Sequence, residues 1–482
     1  MAYYRFRNTV AFLYLLPLLL SLNWVISCKK PLEDTVSLRF SKSIITFDTV
    51  FSSLGSITKS FTVYNPSNKD ITADILLAGG NRSYYSINVN GVSGINFDKV
   101  EIPKRDSIFI FVKVNIHPGG VNNPFLVTDS IVFFSGTRKQ DVKLLAYGQD
   151  ANFIVADPKT GYKVIAGVEA GAQQEVRWTR EKPYVVYGWA VIDSLGKLII
   201  EPGTKIYFHS NSGLWAYRYS NLEVNGTLED PVVFRGDRLE SWFDDDYAQW
   251  KGLWVNEGAD VNMNYAIITN AVTGMQVNPF VAADGEINIT PNSLVQIKNT
   301  IIKNTRDFGV WSLFLNVEMT NCVIANNGTS SLLLEGGKYS MKHVTIGNYS
   351  QADRKVAACK VSNKVISVKE YENLPPVDTK ATFLNCIIYG KNETEVEATK
   401  ASGADLDATF QNCLLKSKND FNYFIECLNN KDPKFSDIKK LDFTLLPTSP
   451  AIGKGKPNIG VDEDIMGKQR GEKPDIGAYQ SE

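Results

Sequence analysis

One stretch of this chain repeats itself without gaps, and a repeat of fixed length restricts the possible folds more than any other feature. VNMNYAIITN from Val261 aligns with VQIKNTIIKN from Val295, VEMTNCVIAN from Val317 and YSMKHVTIGN from Tyr339. Shorter copies follow at Phe383 (FLNCII) and Phe410 (FQNCLL). With Tyr265, Asn299, Asn321, His343, Asn385 and Asn412 taken as equivalent, the spacings are 34, 22, 22, 42 and 27. The two 22s define the unit. A polar loop around 278–291 accounts for the 34, and the charged insert 351–380 either lengthens one turn or hides a further one.

A unit of this size suits one turn of a parallel β-helix, in which strands of successive turns lie ~4.8 Å apart and like residues stack on like. Period-2 alternation turns Met263, Ile297, Met319 and Met341 inward, and with them Ile268, Ile302, Ile324 and Ile346. Asn270, Asn304, Asn326 and Asn348 are then a column at a bend, where stacked amides can bond one another and the backbone groups the bend leaves unpaired. Cys322, Cys386 and Cys413 share one position with Ala266, Thr300 and Val344, the signature of a small inward stack. Cys386 and Cys413 fall on adjacent turns within disulfide reach, but unbridged core thiols are the favoured reading. Cys359 and Cys427 show no pairing logic.

Such asparagine ladders resemble those of pectate-lyase-like proteins, and the resemblance implies an all-β chain with a right-handed parallel β-helix over 190–430. Two further segments, from Leu198 to Ile206 and from Leu222 to Phe234, resemble the entry coils of bacterial β-helix proteins; Leu198 to Leu222 is again one turn, of 24 residues. The chain end, with Asp462, Asp464, Arg470 and Asp475, resembles the terminal segment of the same proteins. It is read as a cap over 431–482 that closes the open last turn, its charges fixing loops. Residues 151–189 are read as a linker and N-terminal cap.

Residues 36–150 alternate short apolar strands with turns such as Asn65-Pro66-Ser67-Asn68 and Asn90-Gly91. About seven strands in this length is the pattern of an immunoglobulin-like β-sandwich. The segments Ile45 to Val50 and Thr58 to Asn65 resemble the opening of the abnormal-spindle/hydin type of that domain. No cysteine occurs there, so the inter-sheet disulfide of antibody domains is absent. A spacer is the plain role; no residue points to a docking face.

Residues 1–27 carry Arg5 and Arg7, no acid, and an apolar run interrupted by Pro17, too short for a ~20-residue span and matching a secretory leader. The run ends in Val25-Ile26-Ser27-Cys28, which resembles a bacterial lipobox, although that family prefers Leu and a small residue where Val25 and Ile26 stand. The resemblance implies lipidation of Cys28, a tether over 28–35, and anchoring in a membrane by several acyl chains at ~0.8 kcal/mol per buried methylene. Lys29-Lys30 after the cysteine implies the outer membrane. Taken together, the chain resembles bacterial β-helix lipoproteins of the Bacteroidota type.

Without the leader, 49 basic face 52 acidic side chains, a net charge of −3 that gives no support to nucleic acid as partner. His117, His209 and His343 are scattered and no Cys-x-x-Cys exists, so no zinc site is expected. Polygalacturonase-like hydrolases carry Asn-Thr-Asp, Asp-Asp, Gly-His-Gly and Arg-Ile-Lys motifs; only an Asp-Asp occurs here. Pectate-lyase motifs are absent too.

The richest segment is 235–252, which gathers Asp237, Arg238, Trp242, Asp244, Asp245, Asp246 and Trp250 in a turn read as 31 residues, Leu222 to Leu253. Trp242 and Trp250 are candidates for stacking on sugar rings, and Asp237 and Arg238 for binding the ligand. Asp244, Asp245 and Asp246 are the weak candidates for acid–base chemistry or for calcium. The plainer reading is a salt-bridged flap whose tryptophans pack on the first turns. The expected function is a lipid-anchored envelope protein whose β-helix binds a polysaccharide or an envelope protein or serves structurally, with no catalytic residue assigned. The alternative is a polysaccharide lyase or glycoside hydrolase using the Asp/Trp loop.

Overall fold

The computed structural model describes residues 35–51, 56–116, 125–169, 171–239, 243–280, 294–350, 353–367, 369–371, 373–418 and 422–481. The leader, Cys28, His117 and Trp242 lie outside the described residues. Two compact units divide after Gln149.

The first unit is an immunoglobulin-like sandwich of two five-stranded sheets, ten strands where about seven are expected. The excess lies partly in short edge strands, Arg39–Phe40 and Val92–Gly94. Strand Ser107–Val114 alternates strictly, sending Ile108, Ile110, Val112 and Val114 into the core. Asn65 justifies its turn: buried, it donates to the carbonyls of Lys69, Ile102 and Pro103 and accepts from the Ser67 amide.

The second unit is a right-handed parallel β-helix. Its first sheet has ten strands (Glu175–Trp178 to Phe424–Ile425), its second eleven (Asn152–Val155 to Leu428–Asn429) and its third nine (Tyr162–Ala166 to Val396–Thr399), every pairing parallel. A turn visits the sheets in that order. The repeat stacks as expected: Met263 pairs with Ile297, then Met319, Met341, Phe383 and Phe410. Ile268, Ile302, Ile324 and Ile346 do likewise, and none of these eight repeat positions is more than 2% exposed.

The bends explain the asparagines. Tyr265, Asn299, Asn321, His343, Asn385 and Asn412 all have φ between 44° and 54°, the left-handed region that asparagine tolerates better than most residues. One such residue turns the chain from the first sheet into the second. Asn270, Asn304 and Asn326, with φ of 65°, 53° and 54°, form the second column. Asn326 donates to Asn304 at 2.6 Å, and Asn321 to Asn299 at 3.2 Å. Asn348 departs from this column: it stays in strand Thr345–Asn348 and bonds the Asn327 backbone instead. Cys322, Cys359, Cys386 and Cys413 are free thiols, and the Cys386 amide donates to Cys413 Sγ at 3.3 Å.

Three expectations are corrected and one open alternative is decided. The solenoid begins at Asn152, so 151–189 forms its first turns rather than a linker. The insert 351–380 contains a third-sheet strand, Cys359–Ser362, so it enlarges one turn and hides no extra one. Leu222 pairs with Val261 and Leu253 with Leu214, so the large turn spans 39 residues (222 to 261), not 31. The chain end does not close the last turn. It lies along the outer face of the second sheet, where Phe443, Ala451, Ile465, Ile476 and Ala478 cover Val323, Ala325, Ile387 and Leu414. Those outward residues are apolar, and burying them stabilises at roughly 25 cal/mol per Å². Its charges do fix loops: Asp464 takes the amides of Met466, Lys468 and Gln480, and Arg470 donates to Asn321 Oδ1 at 2.8 Å.

Candidate functional site

The second sheet hands the chain to the third at a corner, and the early turns place distinctive side chains there. Three passages matter: Tyr187-Gly188-Trp189, then His209 to Trp215, then Asp237 to Trp254. The pairings Tyr207 with Arg235 and Phe208 with Gly236 bring His209 next to Asp237, the residues that follow.

On the second-sheet side, His209 Nδ1 lies 2.7 Å from Asp237 Oδ2. The carboxylate is 12% exposed and the imidazole 48%, so the carboxylate anchors one ring nitrogen while much of the ring faces water. The Tyr187 ring stacks beneath at 4.6 Å and 26°, its buried hydroxyl without a hydrogen-bond partner among the described residues. Burial pushes the Asp237 carboxyl up, against the opposing pull of the hydrogen bond and charge of His209. Burial likewise raises the Tyr187 phenol, with Asp237 adding to it.

On the third-sheet side stands a tryptophan ladder. Trp215 and Trp254 occupy paired positions and stack at 4.4 Å and 10°, their N–H groups donating to Asn256 Oδ1 at 2.7 Å and Asn278 Oδ1 at 2.5 Å. Trp189 meets both edge-on at 6.2 and 5.8 Å, with its six-membered ring over Gly213. Gly213 and Gly252 are required: a Cβ would strike Trp189 at the first and the Thr273 carbonyl at the second. Tyr217 and Phe280 extend the patch, each pair of neighbours edge-to-face at 5.4 Å. These five rings are half-buried. Farther along, Trp311 is 8% exposed because Phe308, Tyr371, Leu374 and Val377 pack over it. Buried Glu335 ties that cover down, accepting from Trp311 Nε1 and the Ile366 and Ser367 amides.

The loop between the two sides is held by amides. Asn270 Nδ2 faces the carbonyls of Phe243, Asp244 and Asp246, and Gln249 Nε2 those of Phe243 and Asp246. Asp244 accepts from Arg235 at 3.0 Å, and Asp245 from Asn304 at 3.4 Å. Arg238 sits 4.0 Å from the centre of the Phe243 ring. Asp244 and Asp245 thus tie the loop to Arg235 and Asn304 of the neighbouring turns. Among the described residues no three His, Cys, Asp or Glu side chains converge as metal ligands.

Trp250 follows the plainer reading of a packed tryptophan and not the sugar-stacking one. It is fully buried, parallel to Phe208 at 4.1 Å, and donates to the Thr269 carbonyl, so it is core and cannot stack on a sugar. Asp237 meets His209, one of the three histidines that sequence spacing leaves scattered. Trp215 and Trp254 were also missed, although Gly-Leu-Trp recurs at 213–215 and 252–254 and marks them as equivalent.

The fold and this corner define a β-solenoid protein with an immunoglobulin-like unit. No family model matches the chain, and no curated protein matches it. Among solved structures, a family 123 glycoside hydrolase from Clostridium perfringens is similar over 24% of this chain and 28% of its own, at 8% identity and a TM-score of 0.17. A likeness so slight carries no argument about fold or activity.

Proposed function

We propose that this chain is an exported lipoprotein, anchored in the outer membrane through Cys28, whose solenoid binds a polysaccharide at the corner between its second and third sheets. The observation that carries the binding reading is the open part of the aromatic ladder, Trp189, Trp215 and Trp254, beside the solvent-facing His209. Indoles offer apolar C–H-rich surface to sugar rings, while the half-exposed imidazole offers a donor to hydroxyls or carboxylates. Asp244 and Asp245 hydrogen-bond Arg235 and Asn304, which favours binding over hydrolysis by that carboxylate pair.

One observation favours the second reading, a carbohydrate-active enzyme. A carboxylate on His209 Nδ1 holds the ring so that Nε2 can act as a base, the relation by which a general base is oriented.

A glycan array with the wild type, Trp189→Ala and His209→Ala tests both. Selective binding lost in Trp189→Ala supports the first reading. Ultraviolet-absorbing or reducing-end products that vanish in His209→Ala replace it with the second. Incorporation of labelled palmitate, abolished in Cys28→Ser, tests the anchor; equal labelling of the variant rejects it.

A further inference from the structure

The first unit has a face that a spacer does not need. One of its sheets runs Arg39–Phe40, Lys59–Tyr64, Ser107–Val114, Tyr85–Val89, Val92–Gly94. The middle strand buries every second residue and turns the others outward, and two of those are phenylalanines: Phe109 is 51% exposed and Phe111 38%. Their rings stack at 6.4 Å and 24°. Core packing does not call for them, because Ile108, Ile110 and Val112 already fill the interior from the same strand. Exposed paired aromatics on a regular sheet mark a binding surface.

The surroundings define the ligand. Thr62 pairs with Phe109 and Ser60 with Phe111 on one side; Asn88 pairs with Phe111, and Ser93 with Asn88, on the other. A groove of about 660 Å³ opens beside Phe111, lined in part by Ser86, Asn88, Ser93 and Lys113, within the size range of ligand sites. None of the five strands contains an aspartate or glutamate, while Arg39 and Lys113 stand on the same outward side as the phenylalanines. In a chain with 52 acidic side chains, that makes this sheet locally basic.

We infer that this sheet is a second binding site, independent of the solenoid corner, for an acidic polysaccharide. The phenylalanines take the apolar faces of the sugars, the amide and hydroxyl side chains take their hydroxyls, and Lys113 takes a carboxylate or sulfate. A neutral glycan would leave the bias in charge unused, and an apolar protein partner would leave the hydroxyl and amide border unpaired.

The test is affinity electrophoresis of the detergent-solubilised full chain in gels containing polygalacturonate, dextran sulfate or neutral dextran. Polygalacturonate and dextran sulfate separate carboxylate from sulfate as the recognised group. The variants are Phe109→Thr/Phe111→Thr, which keeps strand-forming residues at exposed positions, Lys113→Gln, and the corner variant Trp189→Ala. The expected result is retention by a polyanion but not by dextran, weakened about tenfold, the equivalent of 1.4 kcal/mol, by the double variant. Lys113→Gln lowers both affinity and salt dependence, and the double variant weakens retention in the Trp189→Ala background as it does in the wild type. Three outcomes overturn the inference: no retention by either polyanion, retention unchanged in the double variant, or retention lost only in Trp189→Ala. If light scattering instead shows a wild-type dimer that the double variant makes monomeric, the face joins two copies and the inference fails.

Discussion

His343 stands where the ladder elsewhere has asparagine, and its two ring nitrogens face different partners. Nδ1 lies 3.1 Å from the Gly477 carbonyl, which only accepts, so Nδ1 carries the hydrogen. Nε2 lies 3.0 Å from Asn385 Nδ2, which only donates, so Nε2 offers its lone pair. This arrangement locks the neutral ring, and a second proton would point at a donor. Burial, then the nearby Arg470 charge, lowers the His343 pKa to about 3. In the unfolded chain it returns to about 6.5. Between those values the unfolded state binds a proton that the folded state refuses, so stability is complete above the unfolded pKa and is lost as pH falls. At ~1.36 kcal/mol per pH unit, acidification from about pH 7 to about pH 5 removes about 2 kcal/mol through this residue. Urea unfolding followed by tryptophan fluorescence reads the solenoid alone, because every tryptophan beyond the leader lies after residue 150. Carboxylates titrate in the same range, so the informative quantity is the difference between wild type and His343→Asn, which restores the ladder residue. The variant is expected to lose about 2 kcal/mol less over this interval. Equal losses in the two proteins would show that the buried imidazole is not neutral in the fold, and the argument fails.

Trp250→Ala is expected to destabilise the solenoid by about 3–5 kcal/mol by emptying a fully buried site, measured by the same unfolding assay. Gly252→Ala, at φ 123° with the Thr273 carbonyl in the path of the new methyl, is expected to cost at least as much as an ordinary core truncation, or to abolish soluble expression. Asn321→Ala removes an amide that meets both Asn299 and Arg470 from a left-handed position; a loss of about 2–4 kcal/mol with faster hydrogen exchange in 462–478 is expected. Burial raises the Cys322 thiol to about 12 and also raises those of Cys359 and Cys413. These three are expected to resist thiol reagents in the folded protein and to react in urea, and reductant is expected to leave the melting temperature unchanged.

The stacked repeat was legible because it depends only on residues close together in the chain. Alternation assigns Met263 and Ile268 to the inside, and equal spacing then places each on its counterpart one turn away. The asparagine bends were legible for the same reason, since a left-handed φ is a single-residue property. The Gly-Leu-Trp pair carried the same kind of signal for Trp215 and Trp254.

Other features depend on how far the chain travels between registered positions, and no local rule sets that distance. His209 meets Asp237 only because strands Lys205–Phe208 and Val232–Gly236 pair, with their partners 28 residues apart instead of 22. Trp250 admits both sugar stacking and packing on the turns as sequence readings, and only its parallel contact with Phe208 and full burial decide for packing. The apolar outward residues Val323, Ile387 and Leu414 break the expected alternation, and the terminal segment that covers them comes from tens of residues farther along. Local periodicity therefore determined which residues stack. Register across loops of unequal length, set by burial of apolar surface wherever the chain returns, decided which side chains meet at the corner.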